Sequence, residues 1–193
     1  MKDNFIVTIS GTPGSGKSTI AQALEKKFNA QRIYVGGIRR QIAKDKGMTL
    51  AELNKYALTH PETDVDVDKK AAKDARQSVK EKNVIVEGRP QFHFLPESIK
   101  LFIKVDIKEG AKRIWLSLQE PKNKGKRNEA NVSNQAELEQ KVIERNKNDW
   151  QRYKKYYDLD FTDESQYDFI LDTTNINAQE ATQKIIEFIN SKI

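Results

Sequence analysis

The 193-residue chain has no cysteine, which excludes disulfides, thiolate metal sites and cysteine nucleophiles. Its only two histidines, His60 and His93, stand isolated and read as structural or surface groups rather than metal ligands. No stretch approaches the roughly 18 apolar residues of a membrane span, and the chain runs from its N-terminus into an apolar segment without a signal-like region. A cytoplasmic protein with no membrane partner is expected. There is no internal repeat, and only the charged loop from Glu120 to Asn128 approaches low complexity. Charge of one sign is scarce outside one segment. The net charge of +6 falls wholly within residues 108–157, with 13 Lys+Arg against 7 Asp+Glu, while the remainder balances at 21 of each. Such a segment can track a nucleic-acid backbone, bind the phosphates of a small nucleotide, or form an ordinary solvated helix.

What the chain does contain is Gly11-Thr12-Pro13-Gly14-Ser15-Gly16-Lys17-Ser18, a full GxxxxGK[ST] pattern directly after the apolar run Phe5 to Ile9. The glycines let consecutive backbone N–H groups turn toward phosphates. A helix opening near Lys17 aims its positive end at them. Lys17 offers an ammonium to the phosphates and Ser18 a hydroxyl to Mg²⁺. The segment Gly11 to Thr19 is therefore read as the binding site of a nucleoside triphosphate.

Five apolar runs read as parallel strands covered on both faces: Phe5–Ile9, Arg32–Val35, Val84–Val86, Lys100–Val105 and Phe169–Leu171. Helical patterns lie between them, several opened by a short polar residue with Glu three positions later: Thr49/Glu52, Asp106/Glu109, Asn134/Glu137 and Asn177/Glu180. The alternation predicts a three-layer α/β fold with right-handed crossovers and a ligand site beyond the carboxyl ends of the strands. Residues 36–80 form a helical insert, and residues 120–157 a polar loop followed by a long helix. At 193 residues one domain suffices.

Phosphoryl transfer needs positioning and charge neutralisation, so arginines and one carboxylate are the residues to look for. Glu87 ends the third strand, suited to hold Mg²⁺ through water, and Arg89 follows with a fork of donors for an acceptor phosphate. Arg145, Asp149 and Arg152 share one face of the long helix, opposite Ile143, Trp150 and Tyr157. One face is expected to pack and the other to look outward. Arg113 is a third phosphate-ligand candidate; each arginine taken alone reads equally as a surface ion pair. Trp115, Trp150, Tyr153, Tyr156 and Tyr157 read as core or hinge packing rather than a base-stacking platform. Asp64, Asp66 and Asp68 alternate with valines, either to hydrogen-bond a base or ribose or as a solvated cap before a helix over 69–82; a Ca²⁺ loop would need a glycine turn and terminal Glu that are not there.

The loop at 11–18, Tyr34 to Met48 with Gly36-Gly37 and Arg40, the Glu87-Gly88-Arg89 strand end and the helix leading to Tyr153-Lys154-Lys155-Tyr156-Tyr157 together resemble the short cytidylate kinases, the archaeal and bacterial branch of the nucleoside monophosphate kinases. The resemblance covers almost the whole chain. It implies a P-loop core with a five-stranded parallel sheet, a monophosphate-binding insert at 36–80 and a lid at 120–135. It further implies a monomer acting on small nucleotides, with ATP and Mg²⁺, the acceptor being CMP or dCMP, and nucleic acid not expected as a partner. By the same resemblance Arg40 and Arg89 bind the acceptor phosphate, and Asp64 and Asp68 lie near the acceptor nucleoside. Lys17, Arg113, Arg145 and Arg152 surround the transferring group, Ser18 and Glu87 position the metal, and Asn175 with its neighbours lies near the adenine. The chain departs from its relatives at Gly37, where they carry Asp, and in Pro90-Gln91-Phe92-His93-Phe94, where a run of small residues is the rule.

Overall fold

The computed structural model describes residues 4–120 and 132–193. Five strands, β1 (Ile6–Gly11), β2 (Gln31–Tyr34), β3 (Val84–Glu87), β4 (Ile99–Lys104) and β5 (Phe169–Asp172), alternate with helices. These are α1 (Lys17–Lys27), α2 (Val35–Asp45), α3 (Leu50–Tyr56), α4 (Glu62–Ser78), the single turn α5 (Gln91–Phe94), α6 (Ile107–Gln119), α7 (Gln135–Tyr157) and α8 (Ala178–Asn190). All strand pairs are parallel, in the order β2-β3-β1-β4-β5. The glycine-rich loop thus leaves the central strand, whose residues are all buried.

Alternate side chains of a strand face opposite ways, and both ways lead into a core. Val7, Ile9, Ile85, Leu101 and Ile103 pack with Leu24 of α1 and Ile185 and Ile189 of α8. Their neighbours Ile6, Val84 and Val86 pack with Ala71, Ala72 and Ala75 of α4. This is the expected three-layer sandwich, and it explains why the strand sequences are apolar without alternation.

All four anticipated caps form. Thr49 and Glu52 make a reciprocal capping box, while Asp106, Asn134 and Asn177 accept from the backbone N–H of Glu109, Glu137 and Glu180 at 3.1, 2.9 and 2.9 Å. The register pairs Glu87 with Ile9 on one side and Tyr34 on the other, which sets its carboxylate at the carboxyl edge of the sheet beside the loop.

Two expectations are corrected. The helix anticipated over 69–82 starts at Glu62 and ends at Ser78; the alternating aspartates form its first turns, where acidic residues complement the positive helix end, instead of a solvated cap. The long helix departs from its amphipathic reading at two positions on each face, while Tyr157 packs as expected. Asp149 and Arg152 are buried at 2% and 1% exposure, whereas Ile143 and Trp150 are 39% and 40% exposed. The charged face is internal because its groups pair with one another and with groups on α2, α4 and the β3 end, so each buried charge has an opposite partner. Of the lid anticipated at 120–135, residues 121–131 lie outside the described residues; of the remainder, Glu120 follows α6, Val132 to Asn134 lead into α7 and Gln135 opens it. No described helix is long and apolar enough to cross a membrane.

Candidate active site

The loop after β1 has the conformation its glycines permit. Gly14 and Gly16 lie at φ 79° and 87°, and a Cβ on Gly14 would stand 2.4 Å from the carbonyl oxygen of Gly110 on α6. Only glycine satisfies both the backbone and this contact. Lys17 Nζ donates to the carbonyl of Thr12 and, at 3.3 Å, to Ser15 Oγ, which folds the ammonium over the loop. Ser18 Oγ donates to Glu87 Oε1 at 2.5 Å, and the other oxygen of Glu87 accepts from Arg32. A hydroxyl and a carboxylate oxygen therefore meet at the mouth of the loop, a hard-oxygen donor pair that fits Mg²⁺.

Opposite this, Thr173 Oγ1 donates to the carbonyl of Ser15 at 3.1 Å, and Arg113 donates to the carbonyls of Thr173 and Thr174 at 2.8 and 3.1 Å and to Glu109. Arg113 thus ties the loop after β5 to α6. Thr173, Ile176 and Asn177 line the cleft there, and the exposed Asn175 stands beside them.

The cleft between these walls measures about 950 Å³, the upper end of the range for a small-molecule site and room for two ligands meeting end to end. Its second half is cationic. Arg40 leans on Tyr34, donating to its hydroxyl and to the carbonyl of Gly36. Gly37 lies beneath the same ring, where a Cβ would approach Tyr34 Cδ1 to 2.6 Å, so a side chain here would collide with the tyrosine. Arg89 pairs with Asp149 and donates through Nε to the carbonyl of Gly11 at 3.2 Å. Asp149 also pairs with Arg152, and Arg145 Nε lies 3.9 Å from it. Burial, followed by the nearby Arg145, pulls the Arg89 guanidinium down to about 9, so it remains charged at neutral pH.

Behind this wall, Asp64 gives one oxygen to Arg39 and the other to Arg152. Asp68 accepts from Gln91 Nε2 and from the Tyr157 hydroxyl, each at 2.8 Å. Both aspartates are buried, outside the residues that line the cleft, and brace α4 against α2, α5 and α7. Asp66 is exposed. Reading the residues singly overlooked Arg32, Arg39, Asn54 and Tyr34. Their partners come from other elements, so no spacing in the sequence announces them.

Asp68 carries a pH signature. Burial pushes its carboxyl up to about 7, with the Tyr157 hydrogen bond opposing and Asp64 adding to the rise. A carboxyl that holds its proton more tightly when folded stabilises the fold at low pH, and this contribution is lost as pH rises from about 4 through 7. Asp68→Asn is expected to remove that component. The urea midpoint of the parent, taken relative to the variant, should fall between pH 5 and pH 8, and parallel pH profiles would refute the assignment.

Comparison with known proteins gives a consistent picture. Residues 7–134 match a family model described as an AAA domain. The cytidylate kinase of Thermococcus kodakarensis is 35% identical over 175 residues, 90% of this chain and 82% of that one. A protein of Lacinutrix mariniflava named S-adenosylmethionine-dependent nucleotide dehydratase is 29% identical over 182 residues, which is 94% of this chain but 35% of that longer one. Among solved structures, a thymidylate kinase from Candida albicans superposes with a TM-score of 0.56 at 15% identity, covering 98% of this chain and 92% of that one. At that identity the likeness shows the fold.

Proposed function

The chain belongs to the cytidylate kinases, within the P-loop nucleoside monophosphate kinases, and on that premise we propose that it carries the γ-phosphate of ATP to CMP or dCMP, with Mg²⁺ held by Ser18 and Glu87. Arg40 and Arg89 grip the acceptor phosphate. Lys17, Arg145 and Arg152 surround the transferring group. Mg²⁺ bound at the loop mouth neutralises charge on the donor phosphates and orients them. Arg113 acts one step removed, holding the wall at Thr173 and Thr174 against which the adenine rests.

The observation that carries the reading is the convergence of arginines from α2, the β3 end and α7 on one cleft with the glycine-rich loop. An acceptor that is already an anion needs no general base, only donors to hold it. Of the carboxylates in and behind the cleft wall, all but the exposed Glu120 support this. Both oxygens of Asp64 serve Arg39 and Arg152, those of Asp149 serve Arg89 and Arg152, and Glu87 is engaged by Ser18 and Arg32. A hydroxyl acceptor would require one of them as a base. Closure over both substrates excludes water, which strengthens the charge contacts and suppresses ATP hydrolysis.

ADP release measured across CMP, dCMP, UMP, AMP, GMP and dTMP tests the proposal. Stimulation by the cytidine nucleotides above the others is expected. A rate that no monophosphate raises would sink it.

A further inference from the structure

The wall that α2 and α3 contribute to the cleft is built from a pair of side chains fixed by partners behind it. Arg39 and Asn54 are 7% and 6% exposed, and both line the cleft. Arg39 Nη1 spends its two hydrogens on Asp64 and on the carbonyl of Thr63. Arg39 Nη2 donates to Asn54 Oδ1 at 3.0 Å. A guanidinium has donors only, so it must meet the oxygen of the amide, and this turns the Asn54 NH₂ away from Arg39. The remaining N–H groups, Nε and one of Nη2 on Arg39 and both on Asn54 Nδ2, have no partner among the described residues. Leu50, one turn before Asn54, lines the same wall, with Tyr153 from α7 as an aromatic surface.

We propose that Arg39 and Asn54 form a donor-only edge that reads the adjacent acceptors O2 and N3 of a cytosine ring, an inference that rests on the nucleotide-acceptor reading above and specifies how the base is chosen. Neutral cytosine presents O2 and N3 side by side as acceptors. Uracil and thymine carry N3–H there, which would face donors and leave buried polar groups unpaired. That mismatch is the strongest means of rejection open to a small site. Asp64 serves as the anchor that holds Arg39 in this orientation. The exocyclic 4-amino group of cytosine, a donor, takes no part in this edge.

Two measurements decide the matter. With the parent protein, 3-deaza-CMP, which replaces N3 by C–H, should show a KM at least about 10-fold above that of CMP, while the 2-pyrimidinone nucleotide, which lacks only the 4-amino group, stays within about 3-fold. In Asn54→Asp one carboxylate oxygen keeps Arg39 and the other presents an acceptor to the ring. The ratio of kcat/KM for CMP over UMP should drop about 10-fold or more, through KM rather than kcat. If CMP stimulates the parent and 3-deaza-CMP serves equally well, or a folded Asn54→Asp keeps its CMP:UMP ratio, the base-reading edge is overturned while the kinase reading stands. If neither CMP nor UMP stimulates the parent, both fall.

Discussion

Replacing Arg89 by alanine is expected to lower kcat/KM for the monophosphate about 10³-fold, equivalent to about 4 kcal/mol of transition-state stabilisation, while the Kd for ATP changes by no more than about 3-fold. Arg89 follows directly on β3 with a side chain 9% exposed, its guanidinium paired with Asp149 and seated over the Phe161 ring at 5.5 Å. On the proposed role, a phosphate dianion bound in that place would take over donors that Asp149 engages. The carboxylate then retains Arg152. Arg89 touches the donor loop only through the carbonyl of Gly11, which is why ATP should be nearly indifferent to its removal. Arg89→Lys should recover little, because an ammonium cannot reproduce the planar fork that spans two phosphate oxygens. Equal loss of ATP affinity and acceptor turnover would show that Arg89 serves mainly to hold the loop.

The second large effect is on stability. Asp64→Ala is expected to cost about 3–5 kcal/mol, the range found when one partner of a buried ion pair is removed, and to lower the melting temperature by about 10 °C for a chain of this size. The reason is that Asp64 pairs with two buried arginines at once. Arg39 and Arg152 are 9% and 1% exposed at the side chain; Arg39 would be left with an uncompensated buried charge, and Arg152 would keep only Asp149, which it shares with Arg89. The cost should be partly reversed in the double variant Asp64→Ala/Arg39→Met, which removes the orphaned cation. Thermal melts of the single and double variants measure the coupling. A single variant that melts with the parent would mean that both guanidinium groups rehydrate through the cleft. Since Asp64 joins α4 to α2 and α7, the same variant should also raise the KM for the acceptor.

Much of the frame is local chemistry and is legible without coordinates. The P-loop follows from eight consecutive residues, and the caps at Thr49, Asp106, Asn134 and Asn177 follow from donors and acceptors three positions apart. The five strands follow from runs that are apolar at every position, since each must feed a core on both faces of the sheet. Glu87 is visible as a carboxylate at the end of a buried strand. That it meets Ser18 depends on the parallel register beside β1.

The errors share one cause. Amphipathic reading assumes that charges seek water, and on α7 it assigns Asp149 and Arg152 to the outside. In the folded chain these side chains find opposite charges on α4, after β3 and within α7 itself and are buried with them, while Trp150 is left half-exposed. Arg39 and Arg40 are adjacent in sequence, yet successive helical residues point about 100° apart. Arg40 turns to Tyr34, and Arg39 to Asp64 and Asn54 on two other helices. The sequence by itself determined the layers of the fold and the donor loop, because each is encoded over a few neighbouring residues, and it pointed to the kind of reaction through motifs spread along the chain. Only the tertiary structure decided which arginines line the cleft and which aspartates pair with them from behind, because an ion pair between distant segments exists only once the chain has brought them together.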